Sequence, residues 1–271
     1  MNKYKIIAID LDDTLFDDNK NISKENIETI KEVKKQGIKI VISSGRSPMG
    51  IQDTLEALDL LNDDTYIIAF NGASIYHLPD FKLVYSKSLT GKDVKEIYKY
   101  LPDGLYAHFY DIDLKLYANQ RNEYTTGGAV LNHIDYEIVD FNKLDDDYRI
   151  IKLLYTGNPN LITETIQKVT PIFSDKHALM RSAPIYYEFL PKNISKGKAL
   201  KEIAKLENIS MEEVMAFGDN QNDLEMIEMA GMGVAMQNSL DPNILKKANF
   251  VTKTNNESGV AYAIKELILK K

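Results

Sequence analysis

Cysteine is absent from the 271 residues, which removes disulfides, thiolate metal sites and cysteine nucleophiles from consideration. An excess of positive charge is absent too. Lys and Arg number 33 against 40 Asp and Glu, for a formal net charge of −7. General attraction to nucleic acid or to an anionic membrane is therefore disfavoured, and an anionic substrate would need positive charge supplied locally. No stretch approaches the ~18 apolar residues of a membrane span. The run Ile6–Ile9 is too short, and meets acids too soon, to be a signal-peptide core. The expected location is the cytoplasm. The four histidines, His77, His108, His133 and His177, are scattered without ligand spacing. Internal repeats and low-complexity tracts are also missing.

What is present begins with Lys5 to Phe16, K-I-I-A-I-D-L-D-D-T-L-F. An uninterrupted apolar run rich in β-branched residues, stopping at Asp10, reads as a strand buried on both faces of a parallel sheet. Asp10, Asp12 and Asp13 follow in quick succession, and like charges crowded at a strand end raise one another's pKa. A divalent metal with oxygen ligands would relieve that crowding. A D-x-D-x-T triplet alone carries little weight, since composition produces one by chance in roughly one chain in twenty of this length.

The remaining pattern decides more. Ser23 is placed to cap a helix that Gly37 ends; residues 38–42 form a strand breaking at S-S-G-R-S-P; a helix spans 48–60; residues 66–70 form a third strand ended by Asn71-Gly72. Strand-helix-strand-helix-strand implies parallel strands with right-handed crossovers. From Ala73 the rhythm changes. Residues 73–78 and 82–88 suggest a hairpin, and 90–101 a helix opened by a T-x-x-D capping box. Strands are expected at 105–110, 114–118 and 149–155, a helix at 159–169, a strand at 171–174, and a closing pair at 178–181 and 186–190. Residues 120–146 carry no clear period. The first rhythm resumes with a helix capped by Ser195 and running to 207. A strand at 213–217 stops at Gly218-Asp219, and a helix covers 222–230. Short strands at 233–235 and 250–251 flank a helix at 242–247, and a last helix spans 258–269. The expected fold is α/β, a doubly wound parallel-sheet core of residues 1–84 and 189–271 with an α+β domain, 85–188, inserted into it.

Three strands of buried type thus end in Asp10, Ser44 and Asp219. In a doubly wound sheet such ends share one edge, where ligands bind at the topological switch point. Gly218 to Asp223, G-D-N-Q-N-D, adds a second acid about a turn into the next helix. Lys196 follows the capping Ser195 at a helix N-terminus, which already favours anions.

This set resembles the haloacid dehalogenase superfamily, and within it the Cof-type phosphatases with an inserted C2-type cap. The matching pieces are D-L-D-D-T-L (10–15), S-S-G-R (43–46), N-G-A (71–73), N-I-S-K-G (193–197) and G-D-N-Q-N-D-L-E-M (218–226), in matching order and spacing over nearly the whole chain. Asp13 stands where many relatives carry glycine. The resemblance implies a Mg²⁺-dependent phosphomonoester hydrolase acting through an aspartyl-phosphate. Its substrate would be small and phosphorylated, such as a sugar phosphate; it implies no nucleic acid or membrane partner and identifies no protein partner. Asp10 would be the nucleophile and Asp12 the general acid and later base. Mg²⁺ would lie on Asp10, the Asp12 backbone carbonyl and Asp219, with Asp223 orienting metal waters. Ser44, Gly45, Arg46, Lys196 and Asn222 would serve the phosphate, and Thr14 would brace the loop. Arg46 could equally be a structural ion-pair partner. A phosphomannomutase-like phosphotransferase is the alternative enzyme, and a phospho-accepting regulatory module the remote one.

Overall fold

The computed structural model describes residues 3–270. The chain forms two compact units, one made of residues up to Tyr85 together with those from Ser195 on, the other of Ser86–Ile194.

In chain order the first unit opens with β1 (Ile6–Asp10), α1 (Lys24–Lys35), β2 (Lys39–Ser43), α2 (Gln52–Ala57), β3 (Tyr66–Ala69), β4 (Ser74–His77) and β5 (Lys82–Ser86). The second unit contributes β6 (Leu89–Thr90), α3 (Gly91–Tyr98), β7 (Leu105–Asp111), β8 (Leu116–Ala118), α4 (Glu123–Leu131), β9 (Tyr136–Ile138), β10 (Arg149–Gly157), α5 (Pro159–Phe173), β11 (His177–Ala183) and β12 (Tyr186–Pro191). The first unit is completed by α6 (Lys196–Leu206), β13 (Val214–Gly218), α7 (Leu224–Met229), β14 (Met232–Ala235), α8 (Pro242–Lys247), β15 (Phe250–Val251) and α9 (Gly259–Ile264).

The first unit is an α/β core built on one sheet of order β15-β14-β13-β1-β2-β3-β4-β5. All pairings from β15 to β3 are parallel, and β4 runs antiparallel to β3. The buried run on β1 explains its central place: all five of its residues are buried, and each large apolar side chain so covered is worth roughly 1.5–3 kcal/mol. Ile6 and Ala8 pack with Val41, Ile68, Val214, Leu200 and Ile203 in one apolar cluster. The helix ends follow their local chemistry. Ser23 Oγ accepts the Asn26 N–H at the start of α1, and Gly37, at φ +83°, follows its end. Strand order reverses between β1 and β13, the crevice at which doubly wound sheets bind ligands.

The second unit carries an antiparallel-rich sheet of order β11-β12-β10-β7-β8-β9, with β6 on β10. Alternate residues of β7, Leu105, Ala107 and Phe109, pack with Val94 and Ile97 of α3 and Ile162, Val169 and Phe173 of α5. The intervening residues of β7, His108 among them, face the other way, as the two-residue period of a strand requires. The Thr90–Asp93 capping box forms as the sequence suggests.

The second unit runs to Ile194 rather than to 188, since β12 continues to Pro191, and two segments form other elements than the sequence suggests. Residues 171–173 belong to α5 rather than to a strand, despite Pro171. Ile162, Val169 and Phe173 all lie on the buried face of α5, and keeping Phe173 in the apolar cluster holds the last turn helical. Residues 120–146 contain α4 and β9. Asn122 caps α4 by accepting the Thr125 N–H, but Gly127 and Gly128 blur the apolar period within it. Among the described residues no helix is long and apolar enough to cross a membrane.

His108 gives the second unit an acid-sensitive point. It is 4% exposed and its Nδ1 lies 3.0 Å from Thr125 Oγ1. Burial, with the Lys152 charge adding to it, lowers its pKa to about 3. An unfolded histidine titrates near 6.5, so below that pH the unfolded chain holds the extra proton and stability falls as pH drops towards 3. Between pH 7.5 and 5.0 this group should cost about 2 kcal/mol of stability. Urea denaturation at the two pH values should show that difference shrinking by about this amount in His108→Gln.

Candidate active site

Sheet register brings the strand ends together. Asp10 lies opposite Ser43 on β2, and Ile9 opposite Phe217 on β13. Ser44 and Asp219 therefore follow directly on strand ends that flank Asp10. Asp223 returns to the same place because Gly218 allows it: a Cβ on Gly218 would stand 2.4 Å from the Asp223 Cβ. The Asp223 Oδ2 then accepts the N–H groups of Asp219 and Asn220, each at 3.2 Å. Gly72 plays a similar part beneath α6. With φ +90°, it lets the Ser195 carbonyl approach to where a Cβ would be 2.2 Å away. Ser195 caps α6 by accepting the Lys198 N–H, and Lys196 stands at the first helical position.

The Lys196 ammonium is fully buried and donates to Asp10 Oδ1 at 2.5 Å and to Asp223 Oδ1 at 2.6 Å. Burial by itself would lower this lysine, but Asp10 and Asp223 outweigh it and hold its pKa above the ordinary value. Burial pushes the Asp10 carboxyl well up and the Asp223 charge adds to that, against the opposing pull of Lys196. Burial and Asp223 likewise push Asp219 up to about 7, although a hydrogen bond from Thr14 Oγ1, at 2.9 Å, favours its charged form. Asp219 is also held through its backbone, since Ser239 Oγ donates to its carbonyl at 2.5 Å.

Asp12 is in a different setting. Arg46 Nε donates to its Oδ2 at 3.0 Å and Arg46 Nη2 to its Oδ1 at 2.6 Å, while Lys20 Nζ lies 3.1 Å from Oδ1. Burial would raise this carboxyl, but the hydrogen bonds and charges of Arg46 and Lys20 together bring it below its ordinary value. The turn bearing Asp12 passes through Asp13 at φ +60° and is tied down by Asn238 Nδ2, which donates to the Asp13 carbonyl at 2.8 Å.

Ser44 is buried; its hydroxyl accepts the Arg46 N–H at 3.1 Å. Gly45 lies against the Asn71 side chain, at 3.0 Å from where a Cβ would be. Asn222 Nδ2 donates to Asn71 Oδ1 at 3.0 Å. Sequence reasoning passed over Lys20, Ser239 and Asn238 as site residues, and used Asn71 only as part of a motif. Nothing in the residue pattern marks Lys20, which comes from a polar loop.

Asp10, Asp219 and Asp223 each offer a carboxylate oxygen within 4.8 Å of the others, and all three are buried. An all-oxygen donor set of this kind suits a hard divalent cation such as Mg²⁺. Three acids against the buried ammonium of Lys196 leave negative charge to be balanced, so these residues fit such an ion.

The haloacid dehalogenase-like hydrolases match residues 7–264. The chain belongs to this family. It is 37% identical to the putative phosphatase YxeH of Bacillus subtilis, over 99% of the chain and 100% of that protein. It is 33% identical to the 5-amino-6-(5-phospho-D-ribitylamino)uracil phosphatase YcsE of the same organism, over 98% and 96%. Among solved structures, a haloacid dehalogenase-like hydrolase from Bacteroides thetaiotaomicron superposes with a TM-score of 0.86 at 31% identity, covering 98% of this chain and 100% of that one.

Proposed function

We propose that the chain is a Mg²⁺-dependent phosphomonoester hydrolase that acts on small phosphorylated metabolites of the sugar-phosphate kind, through an aspartyl-phosphate (an acyl phosphate) on Asp10. The observation that carries this reading is the buried Lys196 ammonium bridging Asp10 and Asp223 beside Asp219. A strand-end carboxylate beside a fixed cation is what a carboxylate nucleophile for phosphoryl transfer needs. The relatives named as phosphatases support the reading.

The residues divide the work as follows. An Asp10 oxygen attacks phosphorus, and the bond to the departing oxygen breaks. Asp12, which takes up a proton once the negative charge of the bound phosphate raises its pKa, gives that proton to the departing oxygen and, left as a carboxylate, takes one from the water that hydrolyses the acyl phosphate. Lys196 neutralises Asp10 and the transferring phosphoryl group, and Ser44 donates to one of its oxygens. Mg²⁺ held by Asp10, the Asp12 carbonyl and Asp219, with Asp223 behind them, would supply further positive charge at the phosphoryl oxygens. The Ser86–Ile194 unit would select the leaving group.

A screen of phosphorylated metabolites for phosphate release, with and without chelation of divalent metal, tests the reading. Release from sugar phosphates that stops on chelation and returns with Mg²⁺ is the expected result. Release that is indifferent to chelation, or absent from every ester including p-nitrophenyl phosphate, would overturn it.

A further inference from the structure

The two cations on Asp12 are held there by separate devices. Arg46 forks across both carboxylate oxygens, while its guanidinium lies over the Phe16 ring, 5.4 Å from the centroid. A planar fork matched to a carboxylate fixes direction as well as distance. Lys20 arrives from a loop built to present it. Asp17 Oδ1 accepts the N–H groups of Asn19 and Asn21 at 2.9 and 2.8 Å, the Lys20 N–H donates to the Asp17 carbonyl, and Lys20 itself sits at φ +61°. That tight Asx turn aims the ammonium at Asp12 Oδ1, 3.1 Å away, and at Asp13 Oδ1, 3.4 Å away. Asp12 needs such support: its side chain is 43% exposed, on a turn with left-handed backbone at the next residue.

We infer that Arg46 and Lys20 are positioning residues, a two-sided clamp that acts through the Asp12 carboxylate rather than on the substrate phosphate. The inference rests on the phosphatase reading and on Asp12 as the acid–base group. A carboxylate turned away by about an ångström loses proton transfer on the scale of 10²-fold, whereas a lost phosphate ligand weakens every phosphate ester alike. The two roles therefore separate by leaving group.

The test compares phenyl phosphate with p-nitrophenyl phosphate, which share ring and phosphate but differ in how much the departing oxygen needs a proton. Single-turnover cleavage is measured for Arg46→Met and Lys20→Met in the native and Asp12→Asn backgrounds. Arg46→Met should slow cleavage of phenyl phosphate about 10-fold more than that of p-nitrophenyl phosphate, Lys20→Met should show a smaller bias in the same direction, and KM should change little. In the Asp12→Asn background neither variant should add to the loss. Equal losses on both esters with a raised KM, persisting in Asp12→Asn, would make the two cations phosphate ligands and overturn the clamp. Should Arg46→Met fail to fold, the half-exposed Lys20 decides on the same readouts. A native chain that cleaves neither ester overturns the phosphatase reading, and the clamp with it; cleavage with equal losses overturns the clamp alone.

Discussion

Asp10→Asn is expected to lower turnover by about 10⁴-fold or more, the scale on which loss of a nucleophile acts. The amide is a poor nucleophile and cannot match the charge of Lys196, whose ammonium sits 2.5 Å from the Asp10 carboxylate in a fully buried setting. The fold should survive, because the substitution keeps the shape of the side chain and removes one of three acids crowded within 4.8 Å. Steady-state hydrolysis of p-nitrophenyl phosphate, with circular dichroism to confirm folding, checks both halves. A folded Asp10→Asn protein with near-normal turnover would put the nucleophile elsewhere.

The second large effect concerns Asp12. General acid–base help is worth about 10²–10⁴-fold, and a sugar alkoxide depends on it far more than nitrophenolate does. Asp12→Asn should therefore lose most of that factor on sugar phosphates in the first step and little of it on the nitrophenyl ester. The same side chain is proposed to activate the hydrolytic water, so the nitrophenyl ester should show a burst followed by slow turnover, with phosphate retained on Asp10. Rapid-quench kinetics and mass spectrometry of the quenched protein read both outcomes. Equal losses on the two esters, with no burst and no phosphorylated protein, would mean that Asp12 is not the acid–base residue.

Some elements were legible because one physical signal dominated. Ile6–Ile9 form an unbroken apolar run, β-branched except at Ala8, that is short enough to suit a fully buried strand, and Asp10 ends it. Once β1, β2 and β13 were read as parallel, the meeting of Asp10, Ser44 and Asp219 at one sheet edge followed from topology. Other features depended on tertiary context. The last turn of α5 was obscured by Pro171, and only the burial of Phe173 shows why the helix continues through it. In α4 two glycines weaken the local pattern. Lys196 reads as an ordinary lysine at a helix start, a position usually exposed. Family resemblance singled it out, and its complete burial gives the physical reason. Lys20 could not be found from residue type, because what directs it to Asp12 is the backbone of a five-residue turn.

The central place of β1 bears on how the chain is made. Thr14 bonds to Asp219 across 205 residues, and β1 pairs with β13 only after the entire Ser86–Ile194 unit has been synthesised. Until then one edge of β1 has no partner. Contacts this distant in sequence slow folding, and an open apolar strand edge invites association with other chains. The acidic cluster's last members, Asp219 and Asp223, therefore emerge after β1 to β5 but before β14 and β15, and a chain that stalls before residue 214 keeps one edge of β1 open to association with other chains.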